Sequence, residues 1–360
     1  MSGGPAPAAG QLSSAAGGAD DATITFVLVA YNSAEAFRQS LPALARELRP
    51  GDGVVVVDNA SSDDSVAVVH ELCPGATVID GGGNTGFAAG ANTGAAAAGG
   101  DLVVFLNPDA TVQPGFGAAI RQPLVDARGW DAWMALVTAE DGAVINTSGN
   151  LVHFTGIAWA GQAGRPVAEA DAAPHEVAYL SGACLVAPLD VWRRHGGFPE
   201  RYFMYHEDLD FSLRVRLAGG RVGIEPSARV DHDYDFVKGP AKWRHMERNR
   251  LSMIVRLYPA SLLLLVLPAL VATEAALIVV AAAGGWGREK LIADVQWLRE
   301  LPRLLAQRRV IQRGRRIGAA ELARWLTPEL SSAFLGPLAR FAPLQLALRI
   351  YWAGVRALLR

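Results

Sequence analysis

The sequence predicts an α/β fold with a mostly parallel central sheet, followed by an α-helical, membrane-associated C-terminal region. Three observations carry this expectation. Apolar runs of strand length alternate with helical segments between residues 24 and 106, the pattern of βαβ units. Each run stops at a polar cluster, so asparagines and aspartates collect at the carboxyl ends of the strands, where open α/β sheets bind ligands. Residues 261–283 are the longest apolar stretch in a chain whose mean hydropathy is +0.20.

Length and composition set the bounds. A chain of 360 residues can bury a large core and more than one folded unit. Its net charge of −2 gives no electrostatic case for nucleic acid as a partner. The two cysteines, Cys73 and Cys184, offer neither zinc spacing nor a disulfide framework, which points to a reducing compartment. Residues 1–21 are rich in Gly, Ala, Pro and Ser and lack both a basic start and an apolar core, so they read as a disordered tail rather than a signal peptide. The expected division is a tail (1–21), an α/β domain (22–257), a transmembrane or re-entrant segment (258–285), and amphipathic basic helices (286–360) at the membrane surface or a dimer interface.

Taken in order, residues 24–30 (ITFVLVA) form a buried strand, and Asn32 or Ser33 caps a helix running to about residue 48. Residues 54–57 are a second buried strand, closed by Asp58-Asn59-Ala60-Ser61-Ser62-Asp63. A helix, a strand at 77–80, a glycine-rich loop and a small-residue helix at 87–98 follow. The run at 102–106 ends in Asn107-Pro108-Asp109, where Pro108 cannot donate to a ladder. Asp109 is therefore delivered at the end of a central strand, either to hold a divalent cation against a phosphate or as a plain turn residue.

The loop Gly81-Gly82-Gly83-Asn84-Thr85-Gly86 satisfies G-x-G-x-x-G, but it follows the third strand rather than the first and lacks the expected downstream acid. An NAD-binding oxidoreductase is the rival reading it supports. Strands are expected at 131–138, 144–146 and 179–187, the last containing Ser181-Gly182-Ala183, and a short helix at 189–195. Glu207-Asp208-Leu209-Asp210 then opens a helix. Acids suit a helix N-terminus, yet three carboxylates in four positions exceed what capping needs, and crowded carboxylates raise one another's pKa.

With these motifs in place the chain resembles the family 2 glycosyltransferases of the GT-A fold, particularly the bacterial rhamnosyltransferase-like branch, over about residues 23–257. The resemblance rests on Tyr31-Asn32, the 58–63 cluster, Asn84-Thr85-Gly86-Phe87 with Asn92, Leu106-Asn107-Pro108-Asp109, Ser181-Gly182-Ala183, Glu207-Asp208-Leu209-Asp210 and Arg248-Asn249-Arg250. It implies that Tyr31, Asn32, Asp58 and Asn59 hold the base and ribose of a sugar nucleotide, with Asn84, Gly86, Phe87, Asn92, Asn107 and Gly182 shaping the same pocket. Asp109 would take the last position of a D-x-D metal motif for Mn²⁺ or Mg²⁺, with Asn107 in place of its first acid. His232 would complete that metal site, or be a surface histidine. Asp208 matches the general base, with Glu207 beside it. The Q-x-x-R-W motif of processive members is not found, so one sugar per encounter is expected.

The implied activity is inverting transfer of rhamnose or another hexose from a nucleoside-diphosphate sugar to a lipid-linked or polysaccharide acceptor, on the cytoplasmic face of a bacterial membrane. A degenerate, membrane-anchored scaffold is the non-enzymatic alternative, resting on Asn107. The 261–283 run is long enough to cross about 30 Å of hydrocarbon, but Pro268, Glu274 and arginines on both flanks favour a re-entrant or interfacial helix over a clean span. Residues 297–311 and 344–359 look amphipathic and basic, suited to a membrane surface, to the α/β domain or to a homodimer.

Overall fold

The computed structural model describes residues 18–233, 239–331 and 341–360. Most of the expected tail, residues 1–17, lies outside the described residues. Residues 19–21 form a short 3-10 turn whose Asp20 carbonyl accepts an Arg49 Nη1 hydrogen at 3.0 Å.

The first half is parallel. Strands β1 (Ile24–Ala30), β2 (Gly53–Asp58), β3 (Thr77–Asp80) and β4 (Leu102–Leu106) lie in the order β3-β2-β1-β4. Every residue of β1 and β4 is buried, because both faces are covered. Helices α1 (Ala34–Glu47), α2 (Ser65–Leu72) and α3 (Gly86–Ala97) make the crossovers. The small residues of α3 let it sit close to the sheet: a Cβ on Gly94 would lie 2.3 Å from Val27 Cγ1. Ser33 is the residue before α1, as expected, but its hydroxyl does not cap the helix. It accepts the Tyr31 N–H at 3.1 Å, and the Ala34 N–H is instead capped by Asp63 Oδ2 at 2.9 Å from the neighbouring loop.

The second half corrects the mostly parallel expectation. It adds β5 (Thr111–Val112), β6 (Ala132–Ala139), β7 (Val144–Thr147), a separate hairpin β8 (Asn150–Val152) and β9 (Ala158–Ala160), β10 (His175–Glu176), β11 (Cys184–Pro188) and β12 (Val222–Asp231). The full path is β10-β12-β6-β11-β4-β1-β2-β3, with β11 antiparallel to both β4 and β6. The sheet is therefore mixed. The strand expected from residue 179 begins only at Cys184, because 179–183 turn toward the helix at 207. Both cysteines are free and buried.

Helices α4 (Leu189–His195), α5 (Glu207–Leu217) and α6 (Ala241–Leu257) complete this half, followed by α7 (Ala260–Ala283), α8 (Gly287–Arg313) and α9 (Ala342–Leu358). The C-terminal helices share a second core with the sheet-bearing part, built from Val152, Phe154, Leu209, Met253, Leu262, Leu322 and Trp352 among others. Phe154 and Trp352 stack with centroids 4.9 Å apart. At the end of α6, whose last carbonyls lack helical partners, Arg308 donates to Val255 O and Tyr258 O and Gln312 donates to Leu257 O, at 2.6–2.9 Å. The 261–283 run is thus one continuous helix, with Pro268 inside it.

Candidate functional site

The carboxyl ends of β1 and β4, where strand order reverses, open into a cleft of about 510 Å³. Its lining includes Tyr31, Asn32, Asn59, Asn84, Gly86, Phe87, Asn107, Asp109, Gly182, Glu207, Asp208 and His232. Twelve of the fourteen site residues expected from the sequence therefore converge on one cavity.

In the lining, Tyr31 follows the end of β1 with 54% of its surface exposed, an open aromatic face for a flat ring. Asn32 adopts φ +52° and accepts the Ser62 N–H at 2.7 Å, tying the loops after β1 and β2 together. Asn59 is buried and donates from Nδ2 to Gly86 O at 3.0 Å, and Asn84 Oδ1 accepts the Gly86 N–H at 3.1 Å. The glycine-rich loop is thus tied to β2 by its own hydrogen bonds. Position 86 admits only glycine without a shift, since at φ +83° a Cβ there would lie 2.5 Å from both the ring and the carbonyl oxygen of Phe203. Gly86→Ala should therefore displace the 203–206 loop and cost about 1–3 kcal/mol, read from the urea midpoint. An unchanged midpoint would mean that Phe203 simply moves aside.

Asp109 and His232 meet in the same lining. After Pro108 the chain crosses to pair β5 with β12, placing Thr111 against Asp231. That antiparallel clasp sets Asp109 Oδ1 3.1 Å from His232 Nε2, and the Asn107 side-chain amide lies 3.4 Å from the same nitrogen. His232 is buried, whereas the Asp109 side chain is half exposed toward the cleft. The surface-histidine reading of His232 does not hold.

The Glu207–Asp208 pair, in the first turn of α5, lines the same cleft. Asp208 Oδ2 accepts the Gly182 N–H at 2.9 Å and Oδ1 accepts the Leu209 N–H at 2.7 Å. Burial pushes Asp208 up to about 6, against the pull of those hydrogen bonds. Burial, and then the neighbouring Asp208 charge, push Glu207 well above the usual carboxylate range. A backbone bridge joins the two groups: Gly182 holds Asp208, and Ala183 O accepts the Asn107 N–H at 3.1 Å.

The approach to this pair is strained. Phe203, Tyr205 and His206 all have positive φ, near +65 to +69°. Asn249 on α6 holds them by donating from Nδ2 to the carbonyls of Tyr202, Met204 and Tyr205 at 2.8–2.9 Å. This gives the Arg248-Asn249-Arg250 motif a structural meaning that its sequence alone does not reveal.

Two expected assignments change, and a third acid of the 207–210 cluster proves structural. Asn92 is outside the cleft; its amide clamps Phe198 through both N–H and carbonyl, at 2.8 and 2.9 Å. Asp58 also does not line it, and its carboxylate accepts the Ser61 N–H at 3.2 Å to close the turn. Asp210, two residues past Asp208, is fully buried on the far side of the helix, bonded to Tyr202, Arg214 and Arg256. Asn146, Met204 and Tyr205 are lining residues that sequence reasoning missed. Asn146 arrives from β7 and donates to His232 O at 2.8 Å, a long-range placement with no local signal.

Residues 25–126 match the model of glycosyl transferase family 2. This stretch is a family 2 glycosyltransferase domain, and the chain is of the glycosyltransferase class. The glycosyltransferase is 26% identical over 256 residues to N-acetylglucosaminyl-diphospho-decaprenol L-rhamnosyltransferase of Mycobacterium tuberculosis, covering 64% of this chain and 82% of that one. It is 30% identical over 217 residues to Pre-mycofactocin glycosyltransferase of the same organism, across 59% of this chain but only 43% of the relative. Among solved structures, GalNAc-T7 with UDP, GalNAc and Mn²⁺ superimposes with a TM-score of 0.53 at 13% identity, over 66% of this chain and 48% of that one. The glycosyltransferase thus spans about half of that protein, and the likeness establishes a shared fold.

Proposed function

We propose that this glycosyltransferase moves one sugar, with inversion, from a nucleoside-diphosphate sugar to a lipid-linked saccharide acceptor, with Asp208 as general base. The observation that carries the reading is a buried carboxylate, pushed up to about 6, in the same cleft as the Asp109–His232 pair. In the transfer, Asp208 takes the acceptor hydroxyl's proton as that oxygen bonds to the anomeric carbon. The bond from that carbon to the diphosphate oxygen breaks, and the electron pair leaves with the nucleoside diphosphate. Tyr31 offers a stacking face for the base, and Glu207, whose burial favours the protonated form, stands beside Asp208 to hydrogen-bond the sugar or the acceptor.

The residues fit a divalent cation. Among the described residues the lining holds three carboxylates, Asp109, Glu207 and Asp208, and no lysine or arginine. A diphosphate entering such a cleft needs positive charge. Asp109 oxygen and His232 Nε2 are the donors that would hold Mn²⁺ or Mg²⁺, with Asn107 joining them once its amide turns its oxygen, in place of Nδ2, toward the histidine. When bound, the ion would neutralise charge on the departing diphosphate. Asn107 in place of an acid leaves one charge fewer, consistent with a weaker hold.

The acceptor class is drawn from the relative, whose name places its rhamnose on a decaprenol-linked sugar. A lipid-linked acceptor in cell-envelope polysaccharide synthesis would have the enzyme work at the cytoplasmic membrane face. Calorimetric titration with UDP, dTDP, GDP and NAD, each with and without Mn²⁺, tests the donor half. Metal-dependent binding of one nucleoside diphosphate, with the dependence lost in Asp109→Ala, is the expected result. Metal-independent binding of NAD alone would overturn it.

A further inference from the structure

We propose that the C-terminal helices seat the enzyme on an anionic bilayer from one side, with α7 lying in the membrane surface rather than crossing it. The first observation is where α7 is held. Leu262, Val266, Leu270 and Glu274 recur every four residues and therefore share one face. The three apolar side chains are buried in the core shared with Met253, Tyr258 and Leu322. Glu274 pairs with Arg250 of α6 and, at 2.6 Å, with Lys290 of α8. Arg250 is itself buried, bonded to Glu247 at 2.9 Å and to Thr155 O at 3.0 Å. The mid-helix carboxylate is thus bolted to the helix that also positions the loop before Asp208. If α7 spanned a bilayer, Glu274 would lie near mid-depth and would draw α6 into about 30 Å of hydrocarbon. The intact ion-pair cluster excludes that arrangement while α6 stays in water.

The second observation is what faces outward. On the other side of α7, Leu264, Val271, Ile278 and Val279 are exposed, Leu264 by 70% and Val279 by 67%. Leu291, Leu298 and Val310 of α8 and Leu346, Ile350 and Leu358 of α9 are exposed as well, large apolar side chains of the kind that mark interaction surfaces when they cluster. The third observation, charge, selects the occupant. On α8 the acids turn inward, Glu289 to Arg244, Asp294 to Lys290 and Glu300 to Arg201. Arg288, Arg299, Arg303, Arg309 and Arg313 remain exposed among the outward leucines and valines. An apolar face set among arginines matches an anionic lipid surface, acyl chains under the leucines and phosphates at the guanidiniums.

The test uses the full chain. It should co-sediment with phosphatidylcholine vesicles containing phosphatidylglycerol, and binding should weaken with salt and without the anionic lipid. The triple variant Leu264→Asp, Val271→Asp, Ile278→Asp should lose vesicle binding while keeping its nucleotide titration, which reports both folding and the donor site independently of lipid. Undiminished binding by that variant, or no binding by the parent, would overturn the proposal. Topology is read separately, with a membrane-impermeant maleimide on vesicles from cells expressing single-cysteine additions to the full chain. Ala283→Cys at the end of α7 should label from the same side as Gln39→Cys on α1. Labelling from opposite sides would mean that α7 spans.

Discussion

Asp208→Asn should lower transfer by about 10²–10⁴-fold, the usual contribution of a general base, while leaving nucleoside-diphosphate affinity within error. The asparagine keeps the shape and can still accept the Gly182 N–H, but it cannot take a proton. Steady-state rates with calorimetry on the same preparation make the measurement. Transfer retained within about tenfold would remove Asp208 from the base role. The pH profile gives a second readout. Burial pushes Asp208 up to about 6, and burial with the Asp208 charge beside it pushes Glu207 above the usual carboxylate range, so the two titrate as a pair. In the parent, kcat/KM should fall as pH drops through about 6, where Asp208 becomes protonated. The residual activity of the variant should lack that limb.

The same shift has a consequence for stability. The folded carboxyl binds its proton more tightly than the unfolded one, so between the ordinary value of 3.8 and about 6 the native state holds more protons. Raising pH through that window therefore costs stability, and the cost persists above it. Asp208→Asn removes it. The variant should unfold at higher urea than the parent at pH 8, and the advantage should vanish below about pH 4.

Which parts were legible in the sequence follows from which interactions are local. Strands β1, β2 and β4 are continuous apolar runs, and their ends carry the polar residues that the sheet then gathers, so Tyr31, Asn59 and Asp109 could be placed from the chain alone. Glu207-Asp208 stood out as an excess of charge. The antiparallel half could not be read this way, because β11 joins β4 across 77 intervening residues and carries no mark of its direction. The clasp of β5 on β12 that brings Asp109 to His232 is invisible for the same reason. Asn92 and Asp58 misled because asparagine and aspartate serve backbone clamps and turns as readily as ligands. The apolar run at 261–283 was legible as a helix. Its packing was not, because that depends on the partners Glu274 finds in Arg250 and Lys290.

Asp210 makes the sharpest contrast with Asp208. Two positions along α5, the side chain points into the core. It accepts hydrogen bonds from the Tyr202 hydroxyl at 3.0 Å, Arg214 Nε at 2.7 Å and Arg256 Nη1 at 2.5 Å. Arg256 is buried, so Asp210→Ala leaves its charge without this counter-ion in the core. Breaking a buried pair from one side costs about 3–5 kcal/mol, because the remaining ion keeps its desolvation penalty without compensation. The urea midpoint should drop accordingly, and transfer should be lost only as the folded fraction is lost. Removing both charges should hurt less than removing one: Asp210→Leu with Arg256→Met should recover much of the midpoint. A variant at Asp210 that stayed as stable as the parent yet lost transfer would place this carboxylate in the chemistry. Neighbouring acids in one helical turn would then share the role proposed for Asp208, with one side chain facing the cleft and the other the core.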